Sequence, residues 1–476
     1  MEGITGLTDE KICAQFADSS DLIRRELLCG GQKLIVYALD GLVSGNAVSE
    51  YVITPLTARK DQMELPDRYR QALTGGICNS VALPCDTLEQ AGKFLVNGFC
   101  LVLFPTLGAI ACEVKTGDKR TPAPPEVENT IKGGKDAFVE TVRCNTSLVR
   151  RHLRSPDLKI EEITVGQRSL TLVSVVWLKG VTNRALAERM KQRLQSIRID
   201  GLLTPAAVEE YITGSRATPF PLLQYTERPD KFCRGLLEGR VGLLVDGLPV
   251  GYLAPADLGC LMESPEDFGT DYVSASFVRL LRYGALLLSL LLPGIYIALA
   301  TFQQDLIPLP MLRAIIESKQ KVPFSTAAEV FSLLLAFELL QESGIHLPKA
   351  VGQSVSVIGG IVVGTAAVEA GLVSPTSLIT VSLAGICGFT LPNRDFAEAV
   401  RLWRLVLAGL GAFAGMFGVT VGGLLLLDHL AGLTSLGVAY LEPFSGGEKT
   451  SVLRSRLKFH RLRPRRLRPE DQVNQQ

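Results

Sequence analysis

The sequence predicts an α/β soluble half of two related subdomains, followed by an α-helical polytopic membrane domain. Residues 1 to about 275 have a soluble composition, with charged residues every few positions. Beyond them, four stretches contain no Asp, Glu, Lys or Arg: 283–304, 350–368, 370–393 and 405–427. Each is close to the ~20 residues with which a helix crosses ~30 Å of hydrocarbon. Four such stretches in succession indicate an integral membrane domain rather than buried core helices.

The first half contains the same pattern twice. Residues 30–56 and 165–194 each contain Gly-Gln, then a β-branched and apolar run that ends near a glycine, then a segment with helical spacing. Residues 88–114 and 231–255 each predict an amphipathic helix, a stop at Asn-Gly or Glu-Gly, and a strand–turn–strand. A strand followed by a helix explains the first pair, and a helix before a hairpin explains the second. We therefore predict two subdomains of similar topology that arose by an ancient duplication.

Changes in composition set the boundaries of the parts. The segment "TGDKRTPAPPEVENTIKGGKD" (116–136) is dense in Pro, Gly and charge, which is typical of a linker. The last thirty residues are strongly basic. The predicted parts are a first α/β subdomain (1–120), a linker (121–136), a second α/β subdomain (137–275), a helical membrane domain of about four to six spans (276–432) and a basic cytosolic tail (433–476).

The stretch "QYTERPDKFCRGLLEGRVGLLVDG" (224–247) shows the repeated helix and hairpin in detail. Pro229 favours the first turn of a helix, and Asp230 places negative charge at the positive end of the helix dipole. The expected apolar face consists of Phe232, Leu236 and Leu237. Gly239 suits the left-handed residue that ends a helix, and Asp246-Gly247 indicates a hairpin turn after a buried strand.

Composition and motifs argue against several function classes. The balance of 49 Lys and Arg against 48 Asp and Glu does not favour a nucleic-acid-binding protein. Ten cysteines without a Cys-x-x-Cys, and only four histidines, fit a reducing compartment and predict no zinc site. Nucleophile–base, phosphate-loop and dinucleotide motifs are missing, so we predict no enzyme activity, catalytic residue, metal or cofactor. The first twenty residues lack the apolar core of a signal peptide, so the α/β half is expected in the cytosol.

Acidic residues interrupt the apolar segments of the second half. Glu329 and Glu338 lie in the apolar segment 323–344, and Glu369 separates two uncharged stretches. Carboxylates inside a bilayer are costly and usually face protein or a water-filled path. On a straight helix the first two point to opposite sides, which fits a helix buried between neighbours or one lying partly in the interface. All three are candidate intramembrane acidic residues. The alternative to a buried or interfacial helix is that the carboxylates line an ion path.

Two features limit the count of spans. Pro293-Gly294 is expected to end or kink the first span, and the amphipathic segment 307–322 is expected to lie in the interface. The candidate spans are 283–304, 323–341, 350–370, 374–391 and 405–430. A cytosolic first half and a basic tail that favours the cytosol require an even number of spans. Either one of the five is misassigned, most simply the Glu-bearing one, or a further crossing is hidden.

The segment "AVGQSVSVIGGIVVGTAAVEAG" (350–371) presents small residues on adjacent faces. Small residues let helices approach closely in lipid, and tight packing within one subunit is the simpler interpretation. The alternative is a helix that lines a pore across a ring of subunits, with Gln353 and Ser356 as its polar lining. The pore-lining candidates are Gln353, Ser356, Val357, Gly360, Val363, Gly364 and Ala367.

Several longer motifs resemble one family. They are "PFP" (219–221), "TERPDKF" (226–232), "LLEGRVGLLVDG" (236–247), "ESPEDF" (263–268), "LLPGIYIAL" (291–299), "LPKAVGQSVSVIGG" (347–360), "AAVEAGLVSP" (366–375) and "LPN" (391–393). The sequence closely resembles the A subunit of the GerA-type nutrient germinant receptors of spore-forming bacteria, over about residues 18–445. Motifs of this length and order are highly specific.

The resemblance implies a function in spore germination. Such A subunits lie in the spore inner membrane with a transporter-like B subunit and a lipoprotein C subunit. The complex senses amino acids, sugars or nucleosides and starts germination by releasing ions. The A subunit is thought to form a homo-oligomeric, ring-shaped, nutrient-gated channel. The expected partners are therefore further copies of this chain, the B and C subunits and the lipid bilayer, but no nucleic acid.

The sequence departs from the family at two places. After the first span the family usually has a His and a Glu, where this chain has Gln303 and Asp305. After "LPN" it usually has apolar or aromatic residues, where this chain has Arg394-Asp395. Alternative functions are a paralogue that accompanies the dipicolinate-release machinery and a non-conducting scaffold that organises partner subunits. A transporter acting alone is less favoured, because no inverted repeat of interrupted helices is found.

Overall fold

The structure, a computed structural model, describes residues 6–58, 63–115, 124–214, 217–346, 364–441, 444, 452–454, 456 and 463–473. Two α/β units occupy the first part of the chain, and a helical half follows them. Buried side chains form separate clusters inside each α/β unit and among the helices. One further cluster joins the second α/β unit to the helices.

The first unit is a five-stranded antiparallel sheet with helices. Its elements are α1 (Asp9–Gln15), β1 (Leu22–Cys29), β2 (Gln32–Leu39), α2 (Gly45–Ala47), α3 (Thr54–Ala58), α4 (Leu65–Gln71), β3 (Ala82–Cys85), α5 (Leu88–Val96), β4 (Phe99–Phe104) and β5 (Gly108–Glu113). The strand order is β1-β2-β4-β5-β3. The strands β2, β4 and β5 are buried along most of their length, because apolar clusters cover both faces of the sheet.

The second unit repeats this topology. Its elements are α6 (Val142–His152), β6 (Leu158–Val165), β7 (Thr171–Leu178), α7 (Arg184–Ser196), α8 (Pro205–Thr213), β8 (Gln224–Thr226), α9 (Pro229–Glu238), β9 (Val241–Val245), β10 (Gly251–Ala254) and α10 (Leu258–Leu261). The strand order is β6-β7-β9-β10-β8, which matches the first unit strand for strand. The predicted similarity of topology is confirmed by this order, and a common origin stays a prediction.

The helix and hairpin at 224–247 fold largely as predicted. Helix α9 has Pro229 in its first turn and ends at Gly239, whose φ of +101° is left-handed. Phe232 and Leu236 are fully buried. Leu237 is 38% exposed, so its assignment to the buried face is wrong. The helix turns this residue away from the sheet, toward the side on which Arg463 of the tail donates a hydrogen bond to its carbonyl oxygen.

Glycines in the two hairpin strands make room for the Phe232 ring. A Cβ atom on Gly251 of β10 would lie 2.7 Å from Phe232 Cδ2, and one on Gly242 of β9 would overlap the same ring. Side chains at these two positions would therefore push α9 away from the sheet. The glycines of this stretch serve close packing as well as the turn.

Buried polar contacts hold the two α/β units together. Arg150 of α6 donates to Asp21 at 2.6 Å from Nε and at 2.8 Å from Nη2, and both side chains are almost fully buried. Lys159 of β6 donates from Nζ to the backbone oxygen of Gln15 at 2.6 Å. These contacts lie between the residues around β1 and the edge strand β6.

The helical half begins directly after the second unit. Its elements are α11 (Tyr272–Thr301), α12 (Leu309–Lys319), α13 (Thr326–His346), α14 (364–369), α15 (Pro375–Phe389) and α16 (Arg394–Gly432), followed by a short ladder of β11 (Thr434–Ser435) and β12 (Val438–Ala439). Among the described residues, α11 and α16 are long and apolar enough to cross a membrane by length and composition alone, and α16 reverses partway along its length. The other predicted spans stay predictions. The predicted amphipathic helix is present as α12.

Helix α11 continues through Pro293 to Thr301, so the expectation that the first span ends near Pro293-Gly294 is wrong. The backbones of α11 and α16 approach closely at this point. A Cβ atom on Gly294 would lie 2.9 Å from the carbonyl oxygen of Leu407, and one on Gly411 would lie 2.7 Å from that of Gly294. This packing holds the helix together although Pro293 donates no backbone hydrogen bond.

The segment named α16 consists of two helical arms, 394–414 and 416–432, which pack against each other as a hairpin. Gly415 separates the arms with a non-helical conformation, φ 60° and ψ −143°. Beyond it the chain folds back, since a Cβ atom on Gly422 would lie 2.5 Å from the Leu410 side chain of the first arm. Gln303, at the end of α11, stabilises the turn by accepting a hydrogen bond from the Met416 backbone at 3.1 Å. The single predicted span at 405–430 is therefore wrong, because the chain reverses within it.

The helices run between two ends of the helical half. The near end, beside the second α/β unit, contains Phe396 and Leu430 in one cluster with residues of that unit. The far end contains Gly415 and the last turn of α11. Helix α11 and the first arm of α16 run away from the α/β units, and the second arm returns. Because of this reversal, both ends of α16 lie at the near end.

The described parts of the tail lie on the second α/β unit. Leu436 belongs to the apolar cluster under β7 and β9, and Leu467 is 1% exposed. The Glu470 backbone donates to the Val181 carbonyl at 3.0 Å. The basic tail thus packs back against the α/β half.

Candidate functional site

The junction between the second α/β unit and α11 is built on a buried carboxylate. Asp267, in the "ESPEDF" motif, is 3% exposed. It accepts hydrogen bonds from Arg279 Nε at 3.0 Å and from Arg282 Nη2 at 2.9 Å and Nη1 at 3.0 Å. Burial opposes ionisation, but the hydrogen bonds and charges of the two arginines outweigh it and lower the pKa of Asp267. One ionised carboxylate therefore fixes the first turns of α11.

Phe268, the next residue, brings three separate segments together. The guanidinium carbons of three arginines lie over its ring: Arg234 of α9 at 3.2 Å, Arg454 of the tail at 5.3 Å and Arg279 of α11 at 5.4 Å. Cations over the face of an aromatic ring are attracted by its quadrupole. Arg454 also donates to the backbone oxygens of Asp267 and Thr270. Movement of any one segment would disturb the other two.

An apolar cluster completes the junction on the side of α16. Phe220 of the "PFP" motif packs on Phe396 of α16, with ring centroids 5.9 Å apart. Thr218 Oγ1 lies 2.9 Å from His429 Nε2 in the second arm. The cluster also contains Leu258, Leu261, Ala399, Leu426, Leu430 and Tyr440. Both arms of the hairpin are thus anchored on the second α/β unit.

Glu329 of α13, a predicted acidic candidate, is buried against the start of α15. Its Oε2 accepts hydrogen bonds from the Ser374 backbone at 3.0 Å, from Ser374 Oγ at 2.8 Å and from Ser377 Oγ at 2.9 Å. Lys319 Nζ lies 3.3 Å from Oε1, close enough for an ion pair, although Oε1 accepts no hydrogen bond from the residues that the structure describes. A carboxylate here also suits the positive end of the helix dipole. Glu329 therefore joins α12, α13 and α15.

Glu338, the second candidate, points to a different neighbour, as the nine-residue spacing predicts. It accepts from Arg404 Nη2 at 2.7 Å and from Arg401 Nη1 at 3.0 Å, both on the first arm of α16. The two arginines line a cavity of about 660 Å³ between α13, α15 and α16. Both glutamates of α13 are thus paired, which fits the predicted helix buried between neighbours.

The predicted pore-lining residues are only partly described. Gln353, Ser356, Val357, Gly360 and Val363 lie outside the described residues. Gly364 is buried, and a Cβ atom on it would contact Leu378 of α15 at 3.5 Å. Ala367 packs against a cluster that contains Ile297 and Val330. Glu369, the third acidic candidate, is exposed. Pore lining stays a prediction for all seven residues.

A family model described as "Bacillus/Clostridium GerA spore germination protein" matches residues 10–466. The chain belongs to the GerA family. It is 34% identical over 95% of its length to "Uncharacterized membrane protein YfkQ" of Bacillus subtilis, covering 86% of that protein. It is 32% identical over 97% of its length to "Spore germination protein KA" of the same organism, again covering 86%. It is 33% identical over 93% of its length to "Spore germination protein B1", covering 92%.

A solved structure also matches this GerA-family protein. It is the crystal structure of the N-terminal domain of the A subunit of the Bacillus megaterium spore germinant receptor GerK3. The match covers 54% of this chain and 96% of that domain, at 25% identity and a TM-score of 0.41. The family that the sequence motifs predicted is confirmed by the family model and the relatives. This chain is therefore a GerA-family spore germination protein, and its family and its two apolar helices together suggest membrane association.

The structure gives roles to the two departures from the family pattern. Gln303 holds the turn at Gly415, and Asp395 lies in the first turn of α16, in a groove of the junction that Glu209 also lines. Sequence reasoning missed four arginines: those at 279 and 282 pair with the buried Asp267, and those at 401 and 404 pair with the half-buried Glu338. One signal was available: arginines three residues apart flank two of the uncharged stretches. Such pairs lie on one helix face and indicate a carboxylate opposite them.

Proposed function

We propose that this protein is the membrane subunit of a spore nutrient germinant receptor, and that it oligomerises into a ring that conducts ions when a nutrient is sensed. The observation that carries the proposal is the junction around Asp267 and Phe268. It joins α9, the tail and α11 through buried charges, so a shift in the α/β half reaches the helices through contiguous contacts. Family membership supports the germination role.

The course of the helices supports a cytosolic α/β half in a multi-pass protein. Helices α11, α13 and α15 and both arms of α16 pass between the near and far ends. Together with the predicted span at 350–370 they give an even number of passes. The α/β half and the described tail then lie on one side of the membrane, as their charges favour. In this proposal α12 lies in the opposite interface, where Leu309, Met311 and Ile316 are exposed.

The partners belong to the same proposal. A transporter-like B subunit takes the nutrient and a lipoprotein C subunit completes the complex in the spore inner membrane. This chain supplies no enzyme activity and needs no metal or cofactor. Affinity purification of the tagged chain from spore membranes tests the partners. Recovery of the chain without either subunit would contradict this part of the proposal.

Spores that carry Gly364→Leu as their only copy of this protein test the channel. Because Gly364 is buried and its Cβ position already contacts Leu378, the larger side chain should block the helix movement that opening requires. We expect nutrient-triggered ion release to be lost. Loosening Val357 or Val363 to Ala should instead cause premature ion leak.

The matched control is Gly423→Leu, because a Cβ atom on Gly423 meets nothing within 4 Å. It makes the same change in α16 without a steric conflict and should germinate normally. Immunoblots of spore membranes separate a gating defect from loss of the protein. Normal ion release on every nutrient from Gly364→Leu spores, at normal protein levels, would remove the pore assignment.

A second candidate function is a non-conducting scaffold that organises the partner subunits. The packing of Gly364 and Ala367 inside the subunit favours it, since this end of the small-residue helix contacts α15 and α11. Purified protein in liposomes discriminates between the two. If the liposomes show no conductance with or without nutrient and the protein still binds its partners stably, the scaffold is favoured. If the gene for this protein lies beside a dipicolinate-channel operon, the paralogue that accompanies the dipicolinate-release machinery is favoured instead.

A further inference from the structure

The cavity beside Glu338 combines an apolar wall from α13 and α15 with three arginines of α16. Its volume is about 660 Å³, within the range of small-molecule sites. The apolar wall is formed by Leu333, Phe337, Leu340, Leu378, Val381 and Phe389. Arg394, Arg401 and Arg404, all on the first arm of α16, also line it. Such a division suits a ligand with one charged end and one apolar end.

Arg404 is short of partners at this site. Its side chain is 1% exposed, and Nη2 donates to a single oxygen of Glu338. Its Nε is buried and has no hydrogen-bond partner among the described residues. A buried donor without a partner destabilises the fold, and more so when it is charged. A guanidinium binds a planar oxyanion best through Nε and a terminal nitrogen together.

Glu338 does not neutralise the site by itself. Its carboxylate is shared by Arg404 and Arg401, and Arg401 also donates to Gln341. Glu398 lies 3.4 Å from Arg401, but it also pairs with Arg394 at 3.3 Å on the exposed side of the helix. Among the described residues, three arginines (394, 401 and 404) therefore share two carboxylates, Glu338 and Glu398, beside an apolar wall. Unbalanced charge in such surroundings is costly unless an anion joins it.

We propose that this cavity binds an anionic amphiphile, with a carboxylate or phosphate on Arg404 and Arg401 and an apolar body along Phe337, Leu378 and Phe389. The anion completes the hydrogen bonding of Arg404 Nε and balances the second arginine. Fatty-acid-like carboxylates and anionic phospholipids share this chemistry. The site lies between α13, α15 and α16 and holds its ligand whether or not the chain conducts ions.

Octanoate is the probe, and the full chain in phosphatidylcholine nanodiscs is the sample. Equilibrium dialysis with labelled octanoate measures binding, and octanol is the neutral probe of the same chain length. We expect saturable binding of octanoate above the nanodisc background and none of octanol. Absence of saturable octanoate binding, in protein that also carries no anionic phospholipid, overturns the proposal. Equal binding of octanol does so as well.

Three variants locate the binding. Arg404→Met keeps the length of the side chain and removes the guanidinium, so octanoate affinity should fall at least tenfold. Ser382→Phe fills the cavity and leaves all three arginines in place. It should reduce octanoate affinity as strongly, which keeps the test valid if Arg404→Met does not fold. Arg313→Met removes the same charge at an exposed position of α12 and should bind like wild type. Wild-type affinity in folded Arg404→Met and Ser382→Phe overturns the proposal.

The source of the ligand is distinguished by native mass spectrometry and competition. An anionic phospholipid that stays on the wild-type chain, is lost from Arg404→Met and displaces octanoate identifies a lipid. Binding of octanoate that phosphatidylglycerol nanodiscs do not weaken identifies a free carboxylate. Both results support the proposal and differ only in the body of the ligand.

Discussion

The two α/β units share one strand order but not one role. The buried clusters of the first unit contain only residues of that unit, from Leu7 to Val114. The second unit shares a cluster with α11 and α16 and holds the junction at Asp267. The repeated fold by itself therefore does not make the connection to the helices. Two segments of the second unit make it: "PFP" in the loop between α8 and β8, and "ESPEDF" after α10.

Equivalent helices of the two units show the same contrast at one position. Counted back from the glycine that ends each helix, Lys93 of α5 corresponds to Arg234 of α9. Lys93 pairs with Glu89 at 2.6 Å on the surface, and its side chain is 69% exposed. Arg234 lies 3.2 Å from the centre of the Phe268 ring. The same place in the repeat is a solvated face in one unit and part of the junction in the other.

The largest expected effect is that of Asp267→Asn, which breaks the junction without changing its shape. The neutral amide leaves Arg282 and Arg279 buried beside it with reduced compensation, at a cost of about 3–5 kcal/mol. We expect a large loss of thermal stability of the full chain in detergent and low yield from membranes.

The control for this change is Asp305→Asn, which alters an exposed carboxylate at the far end of α11. It should leave stability unchanged to within about 0.5 kcal/mol. If Asp267→Asn unfolded at the wild-type temperature, the second unit would be no more firmly attached to the helices than the first. The contrast between the two units would then rest on apolar contacts alone.

Part of the fold, including the helix and hairpin of the second unit, follows from the sequence. The spacing of Gly239, Asp246 and the apolar residues between them predicts a helix and hairpin, because short-range backbone preferences decide such turns. The reversal at Gly415 was not predictable in this way. Glycines surround it at 409, 411, 418 and 422, and all of them suit close helix packing, so nothing local distinguishes the turn. The pairing of Glu338 with Arg404 also depends on residues distant in sequence, which only the tertiary fold brings together.

A smaller effect is expected from Arg234→Gln, which makes the second unit resemble the first at the equivalent position. Loss of the contact with the Phe268 ring should cost about 1–2 kcal/mol, because the site is partly desolvated. The matched variant Lys93→Gln should cost less than about 0.5 kcal/mol, since its ion pair is exposed. Thermal unfolding of both variants measures the difference. Equal losses would mean that Arg234 stabilises its own helix and not the junction.

The smallest expected effect is a pH dependence that belongs to the second unit. Burial, and secondarily the negative charge of Asp395, raise the pKa of Glu209 in α8 from 4.5 to about 7. The pKa of Tyr252, whose environment includes both carboxylates, is raised too, so its hydroxyl stays neutral through pH 8. A carboxyl with a raised folded-state pKa binds more protons folded than unfolded between pH 4.5 and 7. Stability should therefore fall as pH rises through this window, and the loss is complete above pH 7.

Thermal unfolding of the full chain at pH 5 and pH 8 measures this effect. The shift corresponds to an upper limit of about 3 kcal/mol, and solvent screening of a partly exposed carboxyl reduces it to about 1 kcal/mol. Glu209→Gln should reduce the difference by about this amount, whereas Glu210→Gln, at the exposed neighbouring residue, should leave it unchanged. An unchanged pH dependence in Glu209→Gln would show that the carboxyl is solvated. The contact between α8 and the start of α16 would then be looser than the rest of the junction.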